Sequence, residues 1–482
     1  MDLQAAAKRV MLAHGFEPDF PPPVLTQVAE LPQHPPDETP RQGLEDLRGL
    51  LWSSIDNDTS KDLDQIEVGD RLPDGRIRLR VGIADVEIFV ARDSPIDRYA
   101  ATETTTVYTG VRNFSMLPLE LSAGMTSLLE GGDKLCVVIE MTVSPDGALA
   151  GERIYRAVVR NQAQLTYDAV GAWLEGTGPS PDKVAGREGL AEQLHLQREA
   201  AEWLRAARDR HGALNIETIE IRPVLQHGDA VDIVRQSRNH ATELIEAFMI
   251  AANGVVARLL EANRVPSIRR VVRTPKRWDR IVALAAAQGG ALPPSPDPKA
   301  LNEFLQTRRA ADPDQFPELS LAVIKLLGPG EYVLERPGDP EPGHFGLAVQ
   351  DYTHSTAPNR RFADLVTQRL VKALLERRPP PYPAEELGRI AQQCTLKEDA
   401  ARKVEREMTK RIAAVVMSRR IGQVFDAMVT GVTPSGTFVR LAQPRVEGLL
   451  VRGSAGVDVG DKLRVTLVRT DLERGYLDFA RM

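Results

Sequence analysis

Four carboxylates, Asp56, Asp58, Asp62 and Asp64, fall within nine positions, and core packing accounts for none of them. They follow an apolar run (Leu47, Leu50, Leu51, Trp52) and precede an alternation in which Ile77, Leu79, Val81 and Ile83 answer Arg76, Arg78 and Arg80. Alternation with that period is a strand signal, so the acids sit just ahead of a strand. Acids this dense repel one another unless a cation lies between them, and a hard divalent ion is the usual partner. Mg²⁺ is typically held by a few carboxylates, several waters and substrate phosphates, which makes a phosphate substrate its natural companion. A solvated acidic loop is the other reading of this stretch taken alone.

About three hundred residues later the chain reads Asp351-Tyr352-Thr353-His354-Ser355-Thr356-Ala357-Pro358-Asn359-Arg360-Arg361-Phe362-Ala363-Asp364. Phe362, Leu365, Val366, Leu370, Val371 and Leu374 recur at helical spacing. The pattern predicts a helix from about Pro358 with Thr356 as its N-cap. Arg360 and Arg361 then fall in the first turn, where the macrodipole disfavours cations. Placing them there makes sense if an anion sits beside the free N–H groups.

Together the two stretches resemble the catalytic domain of the ribonuclease II and ribonuclease R (RNB) family of processive 3′-to-5′ exoribonucleases. That family pairs an Asp-rich metal loop with a His-x-Thr-Ser-Pro-Ile-Arg-Arg-Tyr-x-Asp stretch, and both are present in the same order and separation. Gly82-Ile83-Ala84-Asp85-Val86, Met116-Leu117-Pro118, Ile245-Glu246-Ala247-Phe248-Met249 with Ala252-Asn253, and Gly346-Leu347-Ala348 also fall in register. The resemblance covers roughly residues 48 to 415 and is specific as a set. It implies an α+β fold with a mixed catalytic domain.

Carried over residue by residue, the resemblance makes Asp56, Asp62 and Asp64 the metal-loop aspartates. Asp64 and Arg360 carry the cleavage, and Mg²⁺ (or Mn²⁺) is the cofactor. The family's fourth aspartate is replaced by Gln65, which subtracts a charge, so Asp58 or Asp85 is a candidate contributor. Arg361 is expected on a neighbouring phosphate. Tyr108 and Tyr167 fall on aromatic positions that stack on bases near the 3′ end, Tyr167 opening a helix to Leu174. Glu246, on a helix apolar nearly all round, either anchors an arginine or touches substrate, and the resemblance favours contact with RNA near a base or ribose. Glu405 matches a position that reaches the RNA end, although i,i+4 pairing would also explain it. His354 is read as orienting its loop. Ala357, Asn359 and Ile216 depart from the family pattern; Ile216 stands where a stacking Phe is common. Gln65, Ala357 and Asn359 keep open a second class, an RNA-binding protein with an impaired nuclease domain.

With 61 Lys and Arg against 67 Asp and Glu the net charge is −6, so any RNA path is a local basic lining. The cluster Arg269, Arg270, Arg273, Lys276, Arg277 and Arg280 is one candidate. Cys136 and Cys394 form no disulfide framework or zinc site. No apolar stretch reaches spanning length and no signal peptide opens the chain, so a cytoplasmic protein without membrane contact is expected, acting as a monomer on single-stranded RNA. Pro21-Pro22-Pro23 and Pro35-Pro36 divide the N-terminus, where helices near Leu3–His14 and Val24–Leu31 form either a helix-turn-helix-like unit or an arm on the main domain. Members of the family often begin with cold-shock-type barrels, but fewer than sixty residues precede the acidic loop. From about Gly422, five short strands with turn signals have the size of an OB-type barrel. They resemble the RNA-binding domain of the ribosomal-protein-S-one type, with Phe438 as a stacking platform. The expected divisions are residues 1–47, 48–415 and 416–482.

Overall fold

The computed structural model describes residues 1–31, 43–216, 220–226, 229–236, 238–313, 315–340 and 343–482; the Pro35-Pro36 break lies outside them. At the centre is a seven-stranded mixed sheet. Its spatial order is Glu45–Asp46, Leu149–Arg160, Asp133–Val143, Ile77–Ala84, Gln65–Arg71, Ser53–Asp56, Ala163–Thr166. Pairing is antiparallel except at the two edges, where Glu45–Asp46 and Ala163–Thr166 run parallel to their neighbours. The alternation at 77–83 explains the central strand: Ile77, Leu79, Val81 and Ile83 are buried. The arginines between them are not free in solvent. Arg80, also buried, is held by Asp70 at 2.6 Å and Glu140 at 2.8 Å, the pairing a buried cation requires.

Helix Leu190–Arg210 covers one part of this sheet and packs along helix His240–Ala262. Trp278–Ala287, Pro298–Ala311 and Phe316–Leu327 gather around Phe304 and Phe316 in a small core of their own. The two N-terminal helices are Leu3–Ala13 and Pro22–Glu30. The first lies along the long helix Ala384–Ser418 and the second on Pro95–Glu103. Phe16, between them, is buried under the Lys397 ammonium, which sits 4.4 Å above its ring.

Strands Val424–Thr433, Gly436–Leu441, Glu447–Arg452, Lys462–Asp471 and Tyr476–Arg481 close into a barrel, each where a strand was expected. Phe425, at its rim, packs against the core. The barrel core is continuous with apolar positions of Ala384–Ser418 and Leu3–Ala13. The fold is thus α+β, with N-terminal helices, a mixed central unit and a C-terminal OB-like barrel. Among the described residues no helix is long and apolar enough to cross a membrane.

Candidate active site

Strands Ser53–Asp56 and Gln65–Arg71 are antiparallel neighbours, so the intervening loop returns Asp64 to the end of the sheet that Asp56 leaves. The loop is pinned at both ends. Asp56 Oδ1 accepts from the Asn57 N–H at 2.7 Å and the Ser60 hydroxyl at 2.8 Å. The Leu63 N–H donates to Ser127 Oγ at 2.9 Å, and that hydroxyl donates to the Lys61 carbonyl at 2.7 Å. Asp64 is only 2% exposed. Its Oδ1 accepts from the Asn359 N–H at 2.9 Å; its Oδ2 has no hydrogen-bond partner and lies 3.6 Å from Arg360 Nε. Burial pushes the Asp64 carboxyl up to about 7, against the pull of Arg360 and the Asn359 N–H. Burial also raises Asp62, with the charge of Asp56 adding to the shift.

Helix Phe362–Leu375 begins four residues later than its periodicity predicts, with Arg361 rather than Thr356 at its N-cap position. Two interactions delay it. The 104–106 segment pairs with the chain at 360–362, through Thr106 N–H to the Arg360 carbonyl (2.9 Å) and Phe362 N–H to the Thr104 carbonyl (2.8 Å). Asp364, in the first turn, accepts the Ala357 N–H and both arms of the Arg361 guanidinium at 2.8 and 2.7 Å. Arg361 forms a bidentate pair with Asp364 and is not among the residues lining the cavity described below. Arg360 is the member of the pair that faces the cavity. The Ile-to-Asn departure is accommodated: Asn359 Oδ1 accepts the Thr126 hydroxyl at 2.6 Å. His354 Nδ1 lies 2.8 Å from the Tyr332 hydroxyl, and burial with nearby arginines holds the imidazole well below its ordinary pKa. A neutral, hydrogen-bonded ring fits a loop-orienting role.

One cavity of about 2040 Å³ collects Asp56, Asp62, Asp64, Gln65, Tyr108, Tyr167, Glu246, Arg360, Glu405 and Phe438. Tyr108 is 39% exposed on the hairpin formed by Val107–Tyr108 and Asn113–Phe114. Its N–H donates to Glu405 Oε1 at 3.1 Å, so Glu405 positions this hairpin. Tyr167 is the first residue of helix Tyr167–Leu174, capped by Thr166, and is half-buried. Of the two roles expected for Glu246, the structure displays the anchor, an ion pair with Arg238. Asp85 is withdrawn from the site by Lys372 at 2.7 Å and Arg156 at 3.4 Å, whereas Asp58 lines the cavity and meets Arg222 at 3.0 Å.

The 269–280 basic cluster is not part of this lining. Arg269 pairs with Glu261 and Glu335, Arg270 with Glu398, and Arg273 with Glu331, so these arginines hold secondary elements together. Of the barrel's basic residues, Arg440 and Arg445 reach the cavity, Arg440 while pairing with Glu318 and Glu447. Sequence reasoning missed Ser127 and Arg222. A serine is marked only by the loop it pins, and Arg222 by a strand that lies outside the main sheet.

The family model described as RNB domain matches residues 44–377. The chain belongs to the RNB family. A second match, described as the RNase II-type exonuclease C-terminal S1 domain, spans residues 423–482 and coincides with the barrel. Ribonuclease R of Thermotoga maritima is 30% identical over 508 residues, covering 98% of this chain and 69% of that protein. Ribonuclease R of Escherichia coli K12 is 32% identical over 499 residues, covering 96% and 60%. The chain thus spans about 60% of the length of several relatives it matches. Among solved structures, Mycoplasma genitalium RNase R in complex with ribose methylated single-stranded RNA superposes with a TM-score of 0.89 at 23% identity, covering 100% of this chain and 78% of that one. Yeast Ssd1, described as a pseudonuclease, superposes at 0.74 with 16% identity, covering 96% and 57%. At these identities the structural likeness speaks to the fold.

Proposed function

We propose that the chain is a divalent-metal-dependent, processive exoribonuclease that takes single-stranded RNA by its 3′ end and releases 5′-mononucleotides, acting in the cytoplasm as a monomer. The observation that carries this reading is the single cavity running from Asp56, Asp62, Asp64 and Arg360 to the barrel residues Phe438 and Arg445. RNB nucleases depend on divalent metal as a class, and the Thermotoga maritima and Escherichia coli relatives named above are ribonucleases. The three segments 1–47, 48–415 and 416–482 are read as a helical arm, the RNB catalytic unit and an OB-type RNA-binding domain.

The acidic loop suits a hard cation. Asp64 Oδ2 is buried without a hydrogen-bond partner, and both Asp62 and Asp64 are raised by burial that a cation would offset. Among the described residues no three acidic, His or Cys side chains are grouped closely enough to hold a metal ion by themselves. An ion such as Mg²⁺ or Mn²⁺ would therefore need water and substrate phosphate to complete its coordination. Such an ion, when bound, supplies an activated water and charge stabilisation. The chain's own part is to hold the scissile phosphate. Arg360 offers a guanidinium to developing negative charge, and the Asn359 N–H fixes the rotamer of Asp64. Tyr108 and Tyr167 line the cavity, where they would stack on bases, and Glu405 holds the Tyr108 hairpin in place.

Gln65 favours one second reading, RNA binding without cleavage. An assay of 5′-labelled and 3′-labelled single-stranded RNA with and without Mg²⁺ separates the two. Mononucleotides released from the 3′ end only with metal support the nuclease. Retained binding with intact RNA supports the second reading.

A further inference from the structure

Behind the acidic loop lies a separate cavity of about 270 Å³. Asn57, Asp58, Tyr167 and Arg222 line both it and the main cavity, so these four side chains form the partition between the two. On its far side Asp168, Glu175, Thr177 and Val234 are exposed, and the cavity therefore reaches solvent. The partition is light. Its charged contact joins Arg222 to Asp58 at 3.0 Å, with the two side chains 42% and 58% exposed; ion pairs so open to water hold weakly.

A strand threaded 3′ end first fills the main cavity from the barrel to the acidic loop. Each cut then leaves a mononucleotide at the deep end, behind the strand that remains. An enzyme that keeps hold of its substrate cannot pass that product back along the occupied path. The product carries a phosphate monoester with about two negative charges at neutral pH. Guanidinium groups bind such an anion in bidentate fashion, so the phosphate competes with Asp58 for Arg222. Beyond the partition, Asp168 and Glu175 at the mouth repel an anion that has left and disfavour its return.

We propose that this side cavity is the release port for the nucleoside 5′-monophosphate, opened when the product phosphate displaces Asp58 from Arg222. The proposal rests on the exoribonuclease reading above. Val234 and Thr177 line the side cavity and not the main one, and both are exposed on different elements. Val234→Trp and Thr177→Trp should each narrow the port without disturbing the core. Followed by rapid quench on 5′-labelled single-stranded RNA with Mg²⁺, both variants should make the first cut at the unsubstituted rate. Later cuts should slow by about tenfold or more, because release of the first product limits them. Val234→Ala and Thr177→Ala should leave the whole ladder unchanged. Trp variants that are folded by circular dichroism and make every cut at the unsubstituted rate would overturn the port alone. So would a first cut slowed as much as the later ones, which would place the effect in RNA binding. No cutting by the unsubstituted protein would overturn the nuclease reading and the port with it.

Discussion

Asp64 combines the marks of a group that chemistry needs and stability does not: burial, a raised pKa and an oxygen with no hydrogen-bond partner. Asp64→Asn keeps its shape and removes its charge. Cleavage should fall by about 100-fold or more, the equivalent of the several kcal/mol a bound ion supplies, while the dissociation constant for RNA stays within a few-fold. Near-normal cleavage would remove Asp64 from the chemistry. Arg360→Ala should lower turnover more than binding, because its contact gains strength as charge develops. Glu67 makes a different case. It is fully buried with neither carboxylate oxygen hydrogen-bonded, and burial first, then the charge of Asp56, holds its pKa well above the ordinary value. A raised folded-state pKa means the folded protein holds the proton more tightly than the unfolded chain. Stability is then lost as pH rises from the ordinary glutamate value toward the folded one. Glu67→Gln should accordingly raise the melting temperature of the metal-free protein by about 2 °C or more at pH 8, and by less at pH 5. A gain equal at both pH values would mean that Glu67 is not protonated in the fold.

At the scale of elements, the hairpin carrying Tyr108 is where local and distant sequence meet. Val107 and Phe114 bury into the core shared with helix Ala384–Ser418, and Glu405 of that helix accepts the Tyr108 N–H. If Tyr108 stacks on the last bases held, Tyr108→Ala loses roughly 1–3 kcal/mol of grip and lengthens the residual oligonucleotide. Glu405→Ala should reproduce that change by releasing the hairpin, whereas Glu405→Gln, which retains an accepting oxygen, should not. Electrophoresis of end products decides it, and a Gln variant as altered as the Ala variant would mean that the charge of Glu405 matters directly. The same elements show what the sequence could tell. Tyr167–Leu174, the two N-terminal helices and all five barrel strands were legible because their signals are periodic or capped nearby. The start of helix Phe362–Leu375 was not. The pairing of 360–362 with 104–106 overrides the local pattern, and it joins segments that lie about 250 residues apart in the chain. The basic run at 269–280 misled for the converse reason: its acidic partners Glu335 and Glu398 are distant in the chain.

For the molecule as a whole, charge has to be read by place. The net charge is −6, yet Arg440 and Arg445 stand at the barrel end of the cavity and Arg360 at the acidic end. Arg445→Ala should weaken RNA binding at low salt and lower the slope of log affinity against log salt by about 0.7, the expectation for one lost single-strand phosphate contact. A slope unchanged in fluorescence-anisotropy titrations would place Arg445 off the RNA path. Helix Ala384–Ser418 shares a single apolar core with the N-terminal helix Leu3–Ala13, the Tyr108 hairpin and the barrel. Pieces far apart along the chain therefore open and close as one cooperative unit, since none can expose its apolar face without exposing the others'. Amide hydrogens of the barrel's inner strands and of Leu3–Ala13 should exchange with deuterium at matching rates. Occupancy of the RNA path at one end would then slow exchange in a helix hundreds of residues away that never touches the strand.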